Sequence, residues 1–148
     1  NENASKDMIV DSAVNAQAYE IINNKEDKFD SEVEQRAKNL SGGQKQRLSI
    51  ARTLIRNPKI FIMDDSSSAL DMATEAKLQN SIKETMKDST VIVIAQRISG
   101  VMDADKIIVM DDGKIANMGT HKELLKTSEI YRSIAVSQLG EEVLESVG

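Results

Sequence analysis

The chain has 148 residues, with 19 Lys and Arg against 24 Asp and Glu, a formal charge of −5. Its 40% apolar and 29% charged residues suit one folded globular domain, and the acidic balance argues against a bulk nucleic-acid binder. The lack of cysteine and the single histidine exclude a disulfide scaffold, a Cys nucleophile and a thiolate or His-rich metal site. No apolar run is long enough to span a bilayer. The N-terminal NENASKDMIV has neither the basic nor the apolar region of a secretory signal. It also lacks an initiator Met, so a piece of something longer is expected.

In chain order, Ala4 to Asn23 is Ala-rich, with Val10, Ala13, Val14, Ala18 and Ile21 at helical spacing. Asn24 to Asn39 is polar and acidic with little periodicity and reads as loop. Ser41 precedes Gly42, Gly43 and a run of helix formers. Leu48, Ala51 and Ile55 share one face of that helix, as do Ile50 and Leu54, and Asn57-Pro58 ends it. Lys59 to Met63 is a short apolar run closed by Asp64 and Asp65, the pattern of a buried strand. Leu78, Ile82 and Met86 mark a helix. Thr90 to Ala95, TVIVIA, is apolar throughout and predicts a second buried strand. Lys106 to Met110 predicts a third, which Asp112-Gly113 turns back into Lys114 to Met118. Helices over Lys122 to Lys126 and Ile130 to Leu139 close the chain. The alternation predicts an α/β fold with a mostly parallel sheet and a C-terminal hairpin.

Four segments carry possible chemistry. In Leu40-Ser41-Gly42-Gly43-Gln44, followed by Lys45, Gln46 and Arg47, the glycines let backbone approach a ligand closely and Ser41 suits an N-cap. The free N–H groups and dipole of the helix that starts there favour an anion such as phosphate. An ordinary capped Ser-Gly-Gly loop fits these residues as well. Ile60 to Asp65 places two carboxylates at the C-terminal end of a strand, where α/β sheets bind ligands. A carboxylate there suits Mg²⁺ held through water, and a solvated Asp-Asp turn is the plainer alternative. Ser66 to Asp71 is small and polar, with Asp71 or Ser68 able to cap the next helix. Gln96-Arg97 follows the strand TVIVIA.

Together and in this order, these segments resemble the nucleotide-binding domain of ATP-binding cassette (ABC) transporters. LSGGQKQRLSIAR resembles the family's signature motif and helix, IFIMDD its Walker B strand, SALD its D-loop, and VIVIAQR its switch-loop strand. DSEVEQRAKN is similar to the exporter X-loop pattern TEVGERG, and DKIIVMDDGKIANMGTHKELL to the closing hairpin and helix. The resemblance implies a partial P-loop NTPase (RecA-like) core with the ABC helical subdomain. It places the helical subdomain with the signature at residues 1–57 and the C-terminal part of the ATPase core at 58–148. It also implies ATP and Mg²⁺ as cofactors, Asp64 as the Mg²⁺ contact through water, and Asp65 and Gln96 as catalytic positions. Ser41, Gly42, Gly43 and Gln44 are implied to touch the ATP held by a partner domain, with Asp71 coupling the two sites.

No GxxxxGK(S/T) phosphate loop occurs, so the 148 residues are expected to be inactive alone and to bind Mg-ATP weakly. Two departures concern chemistry. Asp65 stands where the family has Glu, which draws the carboxylate back by roughly 1.5 Å; misplacement by about 1 Å costs on the order of 10²-fold in rate. Gln96 stands where the family has a switch His, and a neutral amide shuttles no proton. The X-loop also departs, with Glu34-Gln35 for Gly-Glu and Ala37 for Gly. Losing both catalytic groups resembles the degenerate half of a heterodimeric exporter. The partners implied are a second, different nucleotide-binding domain and a transmembrane domain at the cytoplasmic face of the membrane. Unpaired strand edges also invite self-association of the fragment. A non-hydrolysing docking or dimerisation module and a DNA-associated ABC ATPase are the competing readings.

Overall fold

The computed structural model describes residues 3–145, which divide into two compact units with the boundary between Ile94 and Ala95. Residues 1, 2 and 146–148, the outer ends of the expected division, lie outside the described residues.

In the first unit, the Ala-rich stretch forms α1 (Lys6–Asn15) and α2 (Tyr19–Asn23), capped at its start by Ser5. The single helix expected over Ala4 to Asn23 is broken at Gln17, whose φ of 57° is left-handed. The Ala18 N–H reaches back to the Ala13 carbonyl, and Ala16 and Ala18 are buried in the core. Two short 3-10 turns, Lys28–Asp30 and Gln35–Ala37, punctuate the polar stretch read as loop. Asn39 ties this stretch together, accepting from the Glu34 N–H and donating to the Glu32 carbonyl.

Arg36 and Ala37 both lie at positive φ, 61° and 52°. Ala37 occupies the position where the exporter pattern has Gly, and the backbone there has the left-handed form that Gly adopts freely. Ala37→Gly is therefore expected to stabilise this unit by about 0.5–1 kcal/mol, the left-handed strain outweighing the added chain entropy. The check is a higher urea midpoint with an unchanged slope.

The helix that follows Ser41, α3 (Gly42–Leu54), leads to β1 (Ile60–Asp64), then α4 (Met72–Thr85) and β2 (Thr90–Ile94). The strands pair in parallel, Ile60 opposite Thr90 through Asp64 opposite Ile94. Ile50 and Leu54 of α3, Phe61 and Met63 of β1, and Leu78 and Ile82 of α4 form the core with Met86. The apolar spacings read from the sequence therefore face inward on both helices.

The strands themselves correct one expectation: neither is buried on both faces. Phe61 is 2% exposed, but its neighbours Ile60 and Ile62 are 62% and 60% exposed, and β2 is exposed along its whole length. An all-apolar parallel strand suits a sheet covered on both sides. Here α3 and α4 contribute to the core on one side of β1, and the described residues leave the other side open.

The second unit is built on a hairpin of β3 (Ile107–Asp111) and β4 (Lys114–Gly119), antiparallel with a bulge between Val109 and Met110. Asp112 and Gly113 turn it at φ 46° and 72°, as a two-residue hairpin turn requires. Ile107 and Val109 pack inward against α5 (His121–Thr127) and α6 (Glu129–Leu139) through Leu124, Leu125, Tyr131 and Ala135. A last short helix, α7 (Glu142–Glu145), follows. The fold is thus mixed α/β, with a parallel pair and a C-terminal hairpin. No helix among the described residues is long and apolar enough to cross a membrane.

Candidate functional site

The tip of α3 is built by its own first residues. Ser41 has the extended backbone of an N-cap, and its hydroxyl accepts from the Gln44 N–H at 3.3 Å. The Gln44 side-chain oxygen accepts in return from the Ser41 N–H at 3.0 Å, completing a capping box. The amides of Gly42 and Gly43 belong to the first turn, where the helix has no acceptor for them. The tip is solvent-accessible at Ser41 and Gly42. Such a tip suits an anionic ligand with several acceptor oxygens, and the residues fit a terminal phosphate.

Gly43 has a second use that the sequence did not announce. A Cβ at this position would lie 2.9 Å from the Ala69 carbonyl oxygen and 3.3 Å from Leu70 Cδ2. The missing side chain lets the loop after β1 press against the helix tip. Arg47, one turn on, donates to the Gly43 carbonyl at 3.3 Å and to the Gln17 carbonyl at 3.0 Å. It thereby ties α3 to the break between α1 and α2.

At the end of β1, Asp64 and Asp65 are both exposed. Asp65 sits at φ 49°, a left-handed conformation that Asp tolerates better than most residues. Its N–H donates to the Ile94 carbonyl at 3.0 Å, extending the parallel ladder by one bond. Both carboxylates line an open pocket of about 260 Å³ beside α3, with Gln46, Thr53, Phe61 and Met63. Among the described residues, no group of three or more His, Cys, Asp or Glu is placed to hold a metal. One exposed carboxylate at Asp64 fits Mg²⁺ retained in its water shell, and does not fit an all-protein metal cage.

The loop from Ser66 runs into α4, and Asp71, not Ser68, caps that helix. The Asp71 carboxylate accepts from the Thr74 N–H at 2.9 Å and from the Thr74 hydroxyl at 2.7 Å. Those bonds, the hydroxyl's foremost, hold the Asp71 carboxyl below its ordinary value. Ser67 donates to Glu75, a carboxylate only 4% exposed on the same face as Leu78 and Ile82. The sequence reading gave Glu75 no role; the one available signal is an acid three and seven residues before two core positions.

Gln96 belongs to the second unit. It is exposed, and its carbonyl accepts from Gln138 of α6 at 2.9 Å. The single histidine is structurally engaged: His121 Nδ1 lies 2.7 Å from the Tyr131 hydroxyl. Burial pushes the Tyr131 hydroxyl above its ordinary pKa. Thr120, just before His121, forms a capping box with Glu123.

The chain is similar to known proteins over most of its length. A family model described as ABC transporter matches residues 1–68. The uncharacterized ABC transporter ATP-binding protein YfiB of Bacillus subtilis (strain 168) is 49% identical over 98% of this chain and 25% of its own. The beta-(1-->2)glucan export ATP-binding/permease protein NdvA of Rhodopseudomonas palustris is 45% identical over 85% of this chain and 21% of its own. Among solved structures, a bacterial Atm1-family ABC exporter with ATP bound superposes with a TM-score of 0.89 at 36% identity, covering 95% of this chain and 25% of that one. The chain spans about a quarter of the length of YfiB and of the exporter structure. It is part of an ABC transporter ATP-binding domain, and its relatives include export ATP-binding/permease proteins.

Proposed function

We propose that this chain is the C-terminal part of the ATPase domain of an ABC exporter subunit, at the cytoplasmic face of a membrane. It supplies an intact signature to an ATP site shared with a partner subunit. The observation that carries this is the tip of α3, where Gly42 and Gly43 amides stand free of helix acceptors beside the Ser41 cap. In this role Ser41, Gly42, Gly43 and Gln44 meet the terminal phosphate of ATP gripped by the other domain, where fixed donors stabilise developing charge. When bound, ATP supplies the phosphoanhydride and Mg²⁺ neutralises its phosphate oxygens.

The same chain builds the other half of its own site. Asp64 holds Mg²⁺ through water, and Asp65 and Gln96 take the positions of the water-activating acid and the switch residue. Both are altered, so this site is degenerate and slow. Asp71, at the start of α4, couples the two sites. Residues 1–57 act as the helical subdomain and 58–148 as part of the ATPase core. A transmembrane domain of the same assembly selects the cargo. The open side of β1 and β2 is where further strands and helices of the parent domain pack.

The chain has no cysteine, so Ser41→Cys introduces its one thiol. In the full-length transporter, a non-hydrolysable ATP analogue is expected to protect Cys at position 41 from maleimide. Protection should vanish when the partner's phosphate loop is disabled and persist when this subunit's own is. The reverse pattern overturns the assignment.

A further inference from the structure

One side chain joins the two segments assigned above. Gln46 lies on α3, half-buried, a turn beyond the tip. Its Nε2 donates to the Asp65 carbonyl at 3.3 Å and to the Ser68 hydroxyl oxygen at 3.1 Å. Its Oε1 accepts from the Ala69 N–H at 3.1 Å. The Ser68 hydroxyl donates onward to the same Asp65 carbonyl at 3.0 Å, so three groups close a ring to which the Ala69 N–H is joined through Gln46. The amide's orientation follows from chemistry, because a backbone N–H only donates and a carbonyl only accepts. A side chain of this reach needs a donor and an acceptor together, which neither Glu nor Lys provides.

A second observation falls on the same loop. The Gly43 backbone abuts the Ala69 carbonyl so closely that no Cβ fits between them. The loop after β1 is thus fastened to α3 twice, at the tip by contact and one turn later by hydrogen bonds. Asp65, which begins that loop, is in a left-handed conformation that must be held in place. Its N–H is held by β2 and its carbonyl by Gln46 and Ser68.

We propose that Gln46 is a positioning residue that makes the signature tip, the Asp65 turn and the loop to Asp71 move as one body. Phosphate contact at the tip, which serves the partner's site, then sets the place of the carboxylate that serves this chain's own site. The proposal rests on the assignment of the tip to a phosphate, and the experiment separates the two.

In the full-length transporter, a thiol is placed at the exposed loop by Ala69→Cys, or at the tip by Ser41→Cys. Each is labelled with maleimide, with and without a non-hydrolysable ATP analogue. With Gln46 present, both thiols are expected to slow on nucleotide addition, by about tenfold for a one-decade population shift. With Gln46→Met, which keeps length and removes every hydrogen bond made by the Gln46 amide while leaving the one from Ser68 to Asp65, Cys at 41 should remain protected while Cys at 69 stops responding. Turnover at saturating ATP should fall by on the order of tenfold, from loss of positioning, with KM nearly unchanged.

Continued protection at 69 in the Gln46→Met protein overturns the coupling. So does loss of protection at both positions, since Gln46 would then merely support the tip. If Cys at 41 is unprotected even with Gln46 in place, the phosphate assignment itself fails. Should Gln46→Met not fold, Ser68→Ala removes one member of the ring and is expected to weaken the response at 69 in the same direction. An unchanged response in Ser68→Ala, read with a folded protein, also counts against the proposal.

Discussion

Ser41→Arg in the full-length transporter is expected to reduce turnover at the partner's ATP site by 10²-fold or more, on the order of the loss of an oxyanion-type donor. The substituted side chain projects from the N-cap into the space the tip presents, blocking the terminal phosphate. It also removes the bond to the Gln44 N–H. Cap loss alone costs about 0.5–2 kcal/mol, so Ser41→Ala separates that cost from the blockade. ATP binding by this subunit's own phosphate loop should stay within roughly twofold, about 0.4 kcal/mol. Binding to an assembly with the partner's site disabled, beside turnover of the intact one, provides the measurement. Loss of both together contradicts an assignment across the interface.

The second large effect runs the other way. Asp65→Glu combined with Gln96→His is expected to raise single-turnover hydrolysis at this chain's own site by on the order of 10²-fold. The gain comes from extending the carboxylate by one methylene and restoring a titratable ring. The backbone sets a toll on the first change, because Asp65 is left-handed and Glu is less at ease there than Asp. The single Asp65→Glu variant should therefore give less than its side-chain reach alone suggests. An unchanged rate in the double variant, with the partner's site inactivated, means that something other than these two residues limits the site.

Local signals were the legible part of this molecule. Ser41 ahead of a run of helix formers is an N-cap signal that needs no tertiary information, and the structure carries it, adding the return bond from Gln44. Asp112-Gly113 announces its own turn, because both residues must accept positive φ. Apolar spacing placed Leu78, Ile82 and Met86 in the core. What escaped was decided at a distance. Gln46 reads as one more polar residue on a helix, yet its partners are nineteen to twenty-three positions away. Gly43 reads as room for a ligand, and its second role, leaving no space for a Cβ beside the Ala69 carbonyl, has no local signal. Alanines promise an unbroken helix up to Asn23, but the chain breaks at a left-handed Gln17 with Ala16 and Ala18 buried on either side of it. Exposure of β1 and β2 was illegible for a different reason: an apolar run encodes the need for cover, not its presence.

The close approach at Gly43 also bears on genetic suppression. The obstacle to a larger residue there is a main-chain oxygen, not the methyl group of Ala69. Trimming residue 69 to glycine would leave that oxygen where it is, so no allele at 69 rescues a bulky residue at 43 by making space. Compensation has to come from re-routing the peptide itself, which narrows the paths by which this segment can drift and makes reversion the ordinary escape.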